Sequence, residues 1–185
     1  RDLAAAAGID VGDVRIVEVA DASPVLNAHV SGWGPTKTVT LYDTLLTTAD
    51  PAQVNAIVAH ELMHVRNSDV ALGTVLAALG AACATSIAMA LLLSPGIRRR
   101  VGAANPGDPR LAPLLIAVAS LALLVALPLA ATVSRPIEAR ADRQAIELTG
   151  DPRAYAAMLA LLATRSEEHT SELQSRQYLV CRLLL

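Results

Sequence analysis

The sequence predicts a mainly α protein with a small antiparallel β-sheet, an α+β fold, in which a two-helix transmembrane hairpin separates two polar segments. Three observations predict it. No charged residue occurs from Val70 to Leu93, or again from Leu111 to Val133. Short alternating, β-branched stretches precede the first of these spans. Helix-start signals flank the pair on both sides. The composition agrees: 54% of residues are hydrophobic, 17% are charged, and mean hydropathy is +0.46. That is too apolar for an ordinary soluble domain and points to a lipid bilayer. A net charge of -2 gives no electrostatic case for nucleic acid as a partner.

Residues 1–8 read as the end of an Ala-rich helix stopped at Gly8. Strand-like stretches follow at 14–19 (VRIVEV), 27–33 (NAHVSGW) and 37–43 (KTVTLYD), the last leading into a short helical turn, DTLLTT. Asp50-Pro51-Ala52-Gln53 is a helix start with an N-cap, Pro at the first helical position and Gln at N3. The helix then runs through VNAIVAHELMHVRNSD, placing His60 and His64 one turn apart on one face. The span 70–93 rises about 36 Å as a helix, enough to cross a hydrocarbon core of roughly 30 Å. Residues 94–110 read as a loop from their Pro, Gly and Arg content, and 111–133 as the returning span. A buried hairpin in a soluble bundle is the alternative reading of these spans. Pro136 then begins a helix that Gly150 ends, and Asp151-Pro152 starts another.

The chain opens on Arg1 without an initiator Met, so a fragment of a longer protein is expected. At the other end, RSEEHTSELQSRQYLVCRLLL (165–185) resembles the translation of a common short-read sequencing adapter. These residues are read as an artefactual tail and set aside. His29, His60, His64 and Cys83 then remain as the histidines and the single cysteine, so no internal disulfide is expected.

His60-Glu61-Leu62-Met63-His64 has the spacing of a metal-binding helix. Neutral imidazoles at i and i+4 reach one zinc ion, and a carboxylate beside them is placed to take a proton from its bound water. A catalytic zinc takes a third protein ligand and leaves one position open. Two membrane crossings separate His64 from Glu138, and an even number returns the chain to the face it left. Glu138 is thus the expected third ligand. Asp142, one turn further on, is placed to accept a hydrogen bond from a ligand imidazole. The competing reading of Glu138 and Asp142 is a solvated pair beside Arg135, Arg140 and Arg143.

AHELMHVRNSD, the hairpin, SRPIEARADRQAIELTGDP and the upstream NAHVSGWGPTKTVTLYDTLL together resemble the membrane zinc metalloproteases of the CAAX prenyl protease and HtpX type, over about residues 10–164. The resemblance implies a gluzincin-like zinc protease core with the hairpin inserted between the zinc helix and the third-ligand helix. It implies one Zn2+ held by His60, His64 and Glu138, Glu61 as catalytic base, and a peptide or protein substrate. It also implies that Asn27 begins a strand at the cleft edge, where substrate pairs by β-augmentation. Met63 stands where the family often has Gly, and the N-terminal spans usual in it are absent here.

On this reading residues 1–164 form a single metalloprotease domain. It comprises a β-rich substrate-edge region (1–49), the zinc helix (50–69), two transmembrane segments (70–93 and 111–133) joined by a loop (94–110), and the third-ligand helices (134–164). His29 is a candidate for contact with substrate or an oxyanion, the alternative being an exposed strand histidine. Arg140 and Arg143 are candidates for developing negative charge, the alternative being solvated helix arginines. Tyr155 reads as packing. The expected location is the plasma membrane with the site facing the cytoplasm, although arginines at 98, 99, 100 and 110 favour a cytoplasmic loop, against Arg66, Arg135, Arg140 and Arg143 on the catalytic side. Two other functions fit the same residues: a sensor-transducer whose protease cuts one regulator, and a non-catalytic zinc-stabilised scaffold, against which Glu61 argues.

Overall fold

A computed structural model describes residues 2–19 and 26–168; of the expected tail, residues 169–185 lie outside the described residues. Contacts divide the chain into two compact units, one of residues 1–70 with those from 134 onward, the other of residues 71–133.

The first unit opens with α1 (Asp2–Ala6), which Gly8 ends at φ +70. Three strands follow, β1 (Asp13–Val17), β2 (Ala28–Ser31) and β3 (Thr38–Tyr42), in the order β1-β3-β2. β2 and β3 form the expected antiparallel hairpin, with His29 opposite Thr40. Gly32 in its turn has φ +95, and a Cβ there would meet the Thr36 carbonyl oxygen at 2.6 Å, so only glycine fits. β1 pairs parallel to β3, with Arg15 opposite Thr40, so the sheet is mixed rather than wholly antiparallel. Parallel pairing needs a crossover connection in place of a tight turn, and β2 lies between β1 and β3 in sequence. β2 is left as an edge strand.

Then come α2 (Asp43–Thr48) and α3 (Pro51–Arg66). The N-terminus of α3 carries the predicted capping box: Asp50 accepts from the backbone at Gln53, and the Gln53 Oε1 accepts from the Asp50 N–H at 2.9 Å. Ala56, Ala59, Leu62 and Met63 form its buried face. Met63 is 1% exposed and packs with Ala4, Ala7, Ile9 and Ala141, so the larger side chain fills core volume. The later chain in this unit is the end of α6 (Ala112–Thr149) and α7 (Pro152–Glu168). Ala141 and Ala145, one turn apart on α6 and both fully buried, share the core with side chains of α3. Asn67 Nδ2 donates to Gln144 Oε1 at 2.7 Å and fixes the register between them.

The second unit holds most of α4 (Asp69–Leu93), α5 (Pro95–Val101), a 3-10 turn at Pro109–Leu111 and the first part of α6. The stretch read as a loop therefore contains a helix. Ser94 Oγ caps α5 by accepting from the Ile97 N–H, and Gly102 at φ +70 ends it. Arg98 donates to the carbonyls of Leu92 and Leu93, at 2.9 and 2.7 Å, closing α4. α6 also corrects a boundary. No new helix begins at Pro136, because α6 runs unbroken from Ala112 to Thr149. Proline removes one helical hydrogen bond and crowds the preceding turn, yet α6 continues through it. Both long helices are long and apolar enough to cross a membrane, and their Leu79, Ile87, Ile116 and Leu124 side chains are exposed. Cys83 is exposed on α4.

Candidate metal centre

α3 presents His60 and His64 on one face, as the i, i+4 spacing requires, and α6 brings Glu138 against them. The two histidine Nε2 atoms are 3.0 Å apart. Glu138 Oε2 lies 3.4 Å from the Nε2 of His60 and 3.7 Å from that of His64. One ligand atom from each residue falls within a sphere of contacts no wider than 4.8 Å, and this is the one such cluster among the described residues. Ligand atoms held tetrahedrally at about 2.0–2.1 Å from zinc lie about 3.3 Å apart. The observed separations bracket that value, so this donor set fits a single zinc ion.

The outward nitrogens are also engaged. His60 Nδ1 donates to Asp142 Oδ1 at 2.9 Å. The Tyr155 hydroxyl donates to the same Asp142 oxygen and lies 3.3 Å from His60 Nδ1. His64 Nδ1 donates to Asp69 Oδ2 at 2.9 Å, and the Arg140 guanidinium pairs with the other Asp69 oxygen. Carboxylates behind the imidazoles hold each ring with its Nε2 lone pair directed inward.

Electrostatics follow from burial and these neighbours. Burial of His60 opposes its charged form, but Asp142 and Glu138 outweigh it and push the imidazole up to about 9. Hydrogen bonding to His60 holds Glu138 below the usual carboxylate range, against its own burial. Burial raises Glu61, with His60 and His64 opposing the shift.

The remaining candidates are placed as follows. His29 is half-buried on β2, its ring edge-to-face with Tyr42 at 6.4 Å and close enough to Glu61 to act on its charge. Asn27 is exposed just before β2, and its carbonyl accepts from the Tyr42 N–H at 3.1 Å. Arg143 is exposed on α6 and is not brought to the cluster by any hydrogen bond among the described residues. Arg140 is partly exposed and pairs with Asp69. Tyr155 is more than packing, since its buried hydroxyl bonds Asp142. Sequence reasoning missed Asp69. Its signal was its position, five residues past His64 at the helix junction.

Fold and site define a class: a mainly helical protein with two membrane-crossing helices and a His-Glu-x-x-His helix facing a glutamate from a later helix. The sequence matches peptidase family M48 over residues 1–176. The chain belongs to that family, is HtpX-like within it, and by its two long apolar helices is an integral membrane protein. A protease HtpX homolog of Pseudarthrobacter chlorophenolicus is 38% identical over 141 residues, covering 75% of this chain and 46% of the relative. Another, from Limosilactobacillus fermentum, is 31% identical over 184 residues, covering 95% of this chain and 57% of the relative. The chain thus spans about half the length of the curated relatives it matches. The crystal structure of S. mikatae Ste24p shares the fold, with a TM-score of 0.55 at 19% identity over 78% of this chain and 36% of that one.

Proposed function

We propose that this chain is the catalytic part of a zinc-dependent integral-membrane endopeptidase. The convergence of His60, His64 and Glu138 beside Glu61, in a member of family M48, is the observation that carries the reading. His60, His64 and Glu138 hold one Zn2+, which when bound supplies Lewis acidity to the attacking water and the scissile carbonyl. Asp142 fixes the tautomer and orientation of His60. Glu61 takes the proton from the attacking water and returns it to the leaving nitrogen. The open edge of β2 offers backbone groups for an extended peptide, with Asn27 and His29 along it and Arg143 as a further substrate contact.

Residues 1–164 act as one metalloprotease domain, and 165–185 take no part in it; the adapter resemblance supports the second half of that statement. The protein resides in the plasma membrane with its site towards the cytoplasm.

The test is purification of the chain in detergent, metal analysis and cleavage of casein or a peptide. Glu61→Gln is expected to retain zinc while cleavage falls by at least about 100-fold, the lower end of a general base's contribution. Undiminished cleavage by this variant would refute the mechanism. Glu138→Ala should lose zinc; intact metal content would remove it from the ligand set.

A further inference from the structure

The proposed mechanism leaves one buried carboxylate unused. Asp69 is 7% exposed, yet it contributes no ligand atom to the cluster and touches no substrate edge. It sits at the first position of α4, immediately after the chain turns out of α3. That turn is made by Ser68 at φ 58, a left-handed conformation that a serine adopts only where its surroundings over-determine it. The surroundings do so. The Asn67 N–H closes α3 by donating to the Met63 carbonyl at 3.0 Å, and the Asn67 side chain is bonded to Gln144. The result is that Asp69 folds back beneath the last turn of α3, with Oδ2 on His64 Nδ1 at 2.9 Å. Its other oxygen takes the guanidinium of Arg140, which lies two residues past Glu138 on α6.

We propose that Asp69 and Arg140 form a positioning pair that sets His64, and through it the geometry of the metal, from the helix that carries Glu138. This rests on the metal-centre reading above. Asp69 fixes the His64 tautomer, with hydrogen on Nδ1 and the Nε2 lone pair inward. Arg140 neutralises Asp69, which would otherwise be a costly buried charge, and holds it in register with Glu138. His60 has its own carboxylate in Asp142, so each imidazole is oriented separately, one from α6 directly and one through the α3–α4 junction.

The experiment uses the full chain in detergent, with Zn2+ affinity measured by chelator competition and Co2+ as a spectroscopic probe of the ligand field. Asp69→Ala is expected to weaken Zn2+ binding by about 10–100-fold and to shift the visible Co2+ absorption. Asp69→Asn should fall between it and the unmodified protein, because the amide oxygen still accepts from Nδ1. Arg140→Ala should weaken binding, and Arg140→Lys should restore part of the loss. Leu45→Ala supplies the structural control, lowering the melting temperature of the metal-free protein while leaving the Co2+ spectrum unchanged.

Affinity and spectrum unchanged in Asp69→Ala would overturn the proposal, as would equal affinity losses in Leu45→Ala and Asp69→Ala. If Asp69→Ala does not fold, Asp69→Asn and Arg140→Lys decide, and unaltered spectra in both overturn it. Failure of the unmodified chain to bind either ion is a separate result, which sinks the metal-centre reading and the proposal with it.

Discussion

His60 shows how a single residue's surroundings set measurable behaviour. It is 3% exposed, and two carboxylates face its two nitrogens. Its ordinary value of 6.5 is raised to about 9, so the folded metal-free protein keeps a proton that the unfolded chain has lost. That stabilisation is complete below 6.5 and disappears as pH rises through about 9. The melting temperature of the metal-free protein should accordingly fall between these pH values, as followed by helicity. Zinc needs the neutral imidazole, so uptake at pH 7 should release protons, detectable by calorimetry in buffers of different ionisation enthalpy. Tyr155 offers a finer probe. Tyr155→Phe removes one donor from Asp142 and should cost about 1 kcal/mol of stability, with a smaller loss of zinc affinity than any ligand change. An effect as large as Glu138→Ala would mean the hydroxyl does more than support Asp142.

At the scale of elements, the site depends on how α6 sits on the core that α3 also lines. Fully buried alanines at 56, 59, 141 and 145 lie in that core. Ala145→Leu should destabilise the protein by about 1–3 kcal/mol through overpacking. It should also weaken zinc binding by displacing Glu138, although it touches no ligand; retained affinity at reduced stability would show the two helices free to adjust. Elements differed in how plainly the sequence announced them. The start of α3 was fully legible, because Asp50, Pro51 and Gln53 act within one turn. α5 was hidden because seven residues carry too little periodicity to separate a helix from an Arg-rich loop. Pro136 misled because proline is favoured at the first position of a helix, whereas α6 continues through it.

For the whole molecule, the proposed boundary of the active domain can be checked directly. Removal of residues 165–185 should leave zinc stoichiometry and peptide cleavage unchanged, since the packing of α7 against the core is carried by Tyr155, Met158 and Leu162. Loss of zinc on that truncation would place the tail within the fold. The sequence by itself determined the two spans, the His60–His64 pair with Glu61, and Glu138 with Asp142 one turn later. Each of these is a local pattern, fixed by helix period, capping chemistry or the length of an uncharged run. Tertiary structure alone decided the parallel pairing of β1 with β3, the bond from Tyr155 to Asp142, and the reach of Asp69 back to His64 and Arg140. The physical reason is the same in all three. Strand register, the path across a helix break and one left-handed residue at Ser68 depend on what the chain packs against, and no spacing in the sequence encodes that.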